Sequence, residues 1–189
     1  MSESESLRDW SPGFGISIVW NILGTLITIL GTLTFLEIHR AARLATTDQT
    51  LNGREFILAA AVTAVLVLAL VAIHELLHGL AMRLFGARPS YGVGATARVF
   101  PYFYCTAFGH RFTKSEFSVV ALAPAVLITA IGTLVVAFAP HGGWFVVPLG
   151  IHLGGCIGDI WLLSLALQQP PGTAIEDLKT GVRFHRAQP

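Results

Sequence analysis

The residues best equipped for chemistry lie together at His74-Glu75-Leu76-Leu77-His78. Residues four apart share a helix face, so the two imidazoles can grip one metal ion. Glu75 is near enough to reach a water on that ion without being consumed as a ligand. Zinc in such a site would acidify the water and polarise a peptide carbonyl, while Glu75 takes and returns protons. With seven His and seven Glu in the chain, chance would produce this five-residue pattern in roughly one such chain in a hundred. Its setting adds weight. It continues an apolar run, where ionisable side chains are costly unless they pair or bind something.

A catalytic zinc takes a third protein ligand and keeps one position open. Apart from Glu37 at the very end of the first apolar run, Asp159 is the only acidic residue inside the other three. Its depth fits. At 1.5 Å per residue, His74 lies about 14 Å inside a span ending near Arg83, and Asp159 about 14 Å inside one ending near Gln168. His152 precedes Asp159 by two helical turns on the same stripe. It is a candidate to bind substrate, to stabilise an oxyanion or to replace Asp159 as ligand; a hydrogen-bonded core histidine is the plainer reading. Gly150, Gly154 and Gly158 recur every four residues, a spacing that lets helices approach closely. They are expected to pack this span against the one carrying His74. His39, His110, His141 and His185 fall in loops or tails and are expected to be solvated.

The architecture around these residues follows from composition. The 189 residues are 53% hydrophobic and 12% charged, with a mean hydropathy of +0.67, where a soluble domain carries about a quarter charged residues. Too little polar surface remains to keep the fold in water, so the chain belongs to the membrane class. Four runs are long enough to span a bilayer: 16–38, 56–85, 117–139 with Pro124 as an expected kink, and 145–167. The acidic start, Met1-Ser2-Glu3-Ser4-Glu5, is unlike a cleaved signal peptide. An even number of spans puts the N-terminus, the second loop and the C-terminal tail on one side. That side holds Arg8, Arg88, Arg98, Arg111, Lys114, Lys179, Arg183 and Arg186, against Arg40, Arg43 and Arg54 opposite. The bias places both termini in the cytoplasm. The second loop, 86–115, is long and rich in Gly, Tyr and Phe, as suits an interfacial loop, a short β-hairpin or a re-entrant segment. Cys105 and Cys156 form no disulfide framework, and Cys156 reads as a small buried thiol. The net charge of +1 gives no reason to expect a nucleic-acid partner.

The motif His74 to Gly79, Ala123-Pro124 in the third span and Gly158-Asp159 in the fourth resemble a family of membrane zincin peptidases, mostly prokaryotic, itself similar to the site-2 proteases. The resemblance covers roughly Phe56 to Leu167. It implies zinc on His74, His78 and Asp159, with Glu75 as base, and cleavage of a substrate's transmembrane segment near the cytoplasmic leaflet. One departure stands out. Site-2 proteases carry an Asn-Pro-containing stretch before Leu-Asp-Gly, and the stretch from His152 to Asp159 has neither Asn nor Pro.

The chain therefore reads as an all-α integral membrane protein of one domain, residues 1–189. It has four transmembrane helices and a short β-hairpin or re-entrant segment between the second and third. The expected activity is that of a zinc-dependent intramembrane endopeptidase in a prokaryotic cytoplasmic membrane, Glu75 activating a zinc-bound water. Its partners would be the lipid bilayer and a membrane-protein or membrane-peptide substrate. The rival is a metal-binding transporter or sensor lined by His74, His78, His152 and Asp159. A haem protein would need axial histidines facing each other at one depth, and the residue count puts His152 deeper than His74 or His78.

Overall fold

The fold was obtained as a computed structural model that describes residues 6–43, 53–96 and 100–186. Met1 to Glu5, behind the leader reading, and Arg98, in the charge count, lie outside the described residues. In chain order the elements are β1 (Ser6–Trp10), α1 (Phe14–Arg43), α2 (Gly53–Leu84), β2 (Ser90–Thr96), β3 (Phe100–Thr106) and α3 (Lys114–Phe138). A 3-10 turn (Gly142–Phe145) leads to α4 (Val146–Gly155), α5 (Ile157–Leu167), β4 (Ala174–Leu178) and β5 (Gly181–His185). The protein is mostly helical. Among the described residues, four helical segments are long and apolar enough to cross a membrane: Phe14–Ala42, Gly53–Leu84, Lys114–Phe138 and Gly142–Leu167. Their large apolar side chains are widely exposed, Ile57 at 71%, Val65 at 66% and Phe138 at 77%. Surface of that kind suits lipid contact and not water.

The chain divides into two compact units, and the divisions fall inside all four apolar segments, after Asn21, His74, Pro124 and Cys156.

The first unit comprises Met1–Asn21, Glu75–Pro124 and Ile157–Pro189. It gathers the three segments that an even number of crossings assigns to one side. β2 and β3 form an antiparallel hairpin, Ser90 opposite Thr106 and Thr96 opposite Phe100, which is the hairpin reading of the second loop. A three-stranded antiparallel sheet, order β1-β5-β4, joins the two ends of the chain. An all-α description omits this sheet. Its strands are five residues long, too short to stand out, and β1 finds its partner only at the far end of the sequence. Met82, Phe112, Phe117, Ile175, Val182 and Phe184 form the buried core beneath it. Phe112 bridges to Ile175 through two backbone bonds of 2.8 Å.

Capping fixes where the helices of this unit begin and end. Glu116 N–H donates to Thr113 Oγ1 (3.3 Å) and Thr113 N–H donates to Glu116 Oε2 (2.8 Å). This reciprocal capping box starts α3 directly after Phe112. At the end of α2, Gly86 takes φ +79°, and Ala87 N–H reaches back to the Met82 carbonyl at 3.1 Å. Only glycine adopts that left-handed closure cheaply.

The second unit comprises Ile22–His74 and Ala125–Cys156. Here the glycines of the fourth span meet α1, not the helix carrying His74. A Cβ at Gly150 would meet the Thr32 backbone nitrogen at 2.8 Å and the Thr28 carbonyl at 3.0 Å, and one at Gly154 would strike Thr28 and Gly24. The reason is complementarity: Gly24, Thr28 and Thr32 form a matching stripe of small residues on α1. His39, expected in a loop, lies in α1, and its Nδ1 donates to the Val136 carbonyl at 2.9 Å.

The fourth span is not one helix. It breaks at Cys156, whose N–H is shared among the carbonyls of His152, Leu153 and Gly154. Paired glycines end α4, and hydropathy alone does not register a break inside an apolar run.

Candidate metal centre

In the first unit, His78 leads the buried face of the last turns of α2, with Gly79, Ala81 and Met82. Its Nδ1 lies 2.8 Å from the Val120 carbonyl oxygen of α3. A carbonyl only accepts, so Nδ1 carries the proton. Nε2 then faces Asp159 Oδ1 at 3.5 Å. Metal-ligating histidines commonly donate their second nitrogen in this way, which fixes both tautomer and ring orientation. The break at Cys156 bears on Asp159 too, because it places the residue in the first turn of α5. Negative charge is favoured there by the helix amides.

Gly79 follows the motif and has a steric task. A Cβ there would strike the Tyr91 hydroxyl of β2 and come within 3.2 Å of Cys105 Sγ of β3. The hairpin thus packs directly against α2. Burial raises the Tyr91 phenol, with the neighbouring Cys105 adding to it. Burial, then the charges of Glu75 and Asp177, push the Cys105 thiol up to about 12. Glu75 therefore stands within electrostatic reach of the hairpin. Asp177 of β4 is a further acid beside the site. Burial pushes it up to about 8 against the pull of His78 and a bond from Thr106, and Asp159 and Glu75 add to the rise. Sequence reasoning missed Asp177. Its only signal was an acid in an unassigned tail, next to Glu176, which is itself buried and bound by His185 Nε2 at 2.8 Å. His185 is accordingly buried and not solvated. His110 stacks on Phe112, ring centroids 4.5 Å apart, and of the four histidines expected in water only His141 is exposed.

In the second unit, His74 and His152 meet. Nδ1 of His74 lies 3.2 Å from Nε2 of His152, their rings 5.3 Å apart and tilted by 65°. His152 is thus not set at a depth apart from His74, as the residue count along an unbroken span had it. Cys156 Sγ lies 3.8 Å from the same Nε2 and donates to the His152 carbonyl at 3.2 Å. Cys156 is buried, as expected, and stands in a set of potential metal donors with His74 and His152.

His74 and Glu75 are consecutive on one unbroken helix, and His78 follows a turn later. A family described as "Putative zincin peptidase" matches residues 67–174, more than half of the chain. The chain belongs to that family. No curated protein and no solved structure matches it. The zincin peptidase match takes in His74, Glu75, His78, the hairpin, His152 and Asp159, and stops where β4 begins. Asp177 and the strand β5 lie beyond it. Zincin peptidases imply zinc, and the donors suit that ion: two imidazoles one turn apart and a carboxylate facing one of them.

Proposed function

We propose that the chain is a zinc-dependent intramembrane endopeptidase, hydrolysing a peptide bond in or near the transmembrane segment of a membrane-protein substrate. His74, His78 and Asp159 would be its ligands. The observation that carries the reading is the fixed His78 ring, proton on Nδ1 toward Val120 and Nε2 toward Asp159. Bound zinc would supply a Lewis acid that polarises the scissile carbonyl and acidifies water. Glu75 takes the proton of the attacking water and returns it to the amine nitrogen as the carbon–nitrogen bond breaks. The four apolar segments support a place in a bilayer. The bias of Lys and Arg supports a cytoplasmic position for both termini.

A second reading, a non-hydrolytic metal transporter or sensor, draws support from the His74, His152 and Cys156 donor set. One experiment separates the two. Wild type and Glu75→Gln are incubated in liposomes with single-span membrane substrates, and cleavage and metal flux are measured. The peptidase reading expects Glu75→Gln to keep its metal and fold and to lose about 10²- to 10⁴-fold in cleavage rate. Metal flux in the wild type with no cleavage by either protein would favour the transporter.

A further inference from the structure

His152 lies in the last turn of α4 and Cys156 caps it, its thiol donating to the His152 carbonyl at 3.2 Å. Cys156 Sγ and His74 Nδ1 approach the same atom, His152 Nε2, at 3.8 and 3.2 Å. All three residues offer donors within 4.8 Å of one another, and both His152 and Cys156 are buried. Around one tetrahedral ion with bonds of about 2.0–2.1 Å to nitrogen and about 2.3 Å to sulfur, two nitrogens lie about 3.3 Å apart and a nitrogen and a sulfur about 3.6 Å. The two observed separations differ from that geometry by little more than a side-chain adjustment.

We propose that His74 Nδ1, His152 Nε2 and Cys156 Sγ form a second metal position, distinct from the zinc site on His78 and Asp159 and selective for a soft, thiophilic divalent cation. The ion displaces two protons, one from the thiol and one from between the imidazoles, and no electron transfer is involved. Thiolate is the reason for the selectivity, because soft donors favour zinc-group ions over magnesium or calcium. His74 belongs to both sets. Occupation of the second position takes hold of its Nδ1 and so restrains the ring that the peptidase reading needs. Zinc in excess, or cadmium, is thereby an inhibitor.

The test titrates the zinc-loaded full-length protein in detergent with cadmium and follows thiolate-to-metal charge-transfer absorption in the ultraviolet. The wild type should gain one cadmium per chain with the band. Cys156→Ser should lose the band, and His152→Leu should bind cadmium at least about tenfold more weakly. Cys105→Ser and Asp159→Ala should keep the band. If Cys156→Ser does not fold, alkylation of the wild type substitutes, and cadmium should protect Cys156. A band that survives in Cys156→Ser or vanishes in Cys105→Ser overturns the proposal, as does tight cadmium binding without a band or without protection of Cys156. A band in Asp159→Ala, with its first metal lost, upholds the second position whatever the fate of the peptidase reading, which the Glu75→Gln assay tests alone.

Discussion

His78 Nε2 faces Asp159 Oδ1 at 3.5 Å, within one compact unit, from two helices, α2 and α5, that are far apart in sequence. That separation exceeds an ordinary hydrogen bond, and two ligands of one ion need not touch each other. Asp159→Ala should therefore cost zinc affinity by more than the roughly 10- to 100-fold expected for a partner outside the coordination sphere. Metal content after dialysis against a graded chelator measures it. Undiminished zinc would pass the third-ligand role to His152.

Gly79→Ala should destabilise the fold without touching a ligand. The new methyl meets the Tyr91 ring, its Cζ at 2.7 Å, and Cys105 Sγ at 3.2 Å, and overpacking of this kind costs about 1–3 kcal/mol. Thermal unfolding in detergent should show a lowered midpoint, with Tyr91→Leu in the same chain restoring part of it. Equal midpoints for Gly79→Ala and wild type would mean that the hairpin does not press on α2.

What was legible in the sequence follows the range of the interactions. His74, Glu75 and His78 needed only helical periodicity, and Asp159 stood out as a lone acid in an apolar run. The hairpin was legible from local composition, Tyr91 to Gly94 and Phe100 to Tyr104. The β1-β5-β4 sheet was not, because Asp9 pairs with Arg183 across nearly the whole chain and no local pattern encodes such a partner. The same blindness hid Asp177, Glu176 and His185. Two misreadings were local. The glycine stripe indicated close helix packing but not with which neighbour, and α1 carried the complementary Gly24, Thr28 and Thr32. The break at Cys156 lay in a run apolar on both sides.

The terminal sheet should fail in acid. Burial opposes ionisation of Glu176, but bonds from His185 and Gly109 N–H and the charge of Arg183 outweigh it and hold the carboxyl below its ordinary 4.5. A depressed acid contributes stability that is fully present above the unfolded value and is lost as pH falls through the folded one. Below about pH 4.5 the unfolding midpoint of the wild type should fall. Glu176→Gln should be less stable at neutral pH and should show a shallower acid decline. Parallel declines for the two proteins would assign acid sensitivity elsewhere.

His152 should orient His74 when the zinc site is filled. The two rings meet through His74 Nδ1 and His152 Nε2 at 3.2 Å. With the proton on His74 Nδ1, the bond leaves that ring's Nε2 for the metal, the tautomer that the Val120 carbonyl imposes on His78. Two imidazoles then present the same nitrogen, one held by a carbonyl and the other by a neighbouring ring. Loss of such a partner typically costs 10- to 100-fold in metal affinity or activity. His152→Leu should fall in that range. His152→Gln, whose side-chain oxygen can accept the same N–H, should recover much of it. The measurement is zinc affinity by competition with a coloured chelator, made without added cadmium or excess zinc so that Cys156 plays no part. Equal losses in the Leu and Gln variants would mean that His152 serves packing alone. A loss as deep as that of Asp159→Ala would make it a ligand. Only recovery by Gln marks it as the acceptor that sets the tautomer of His74.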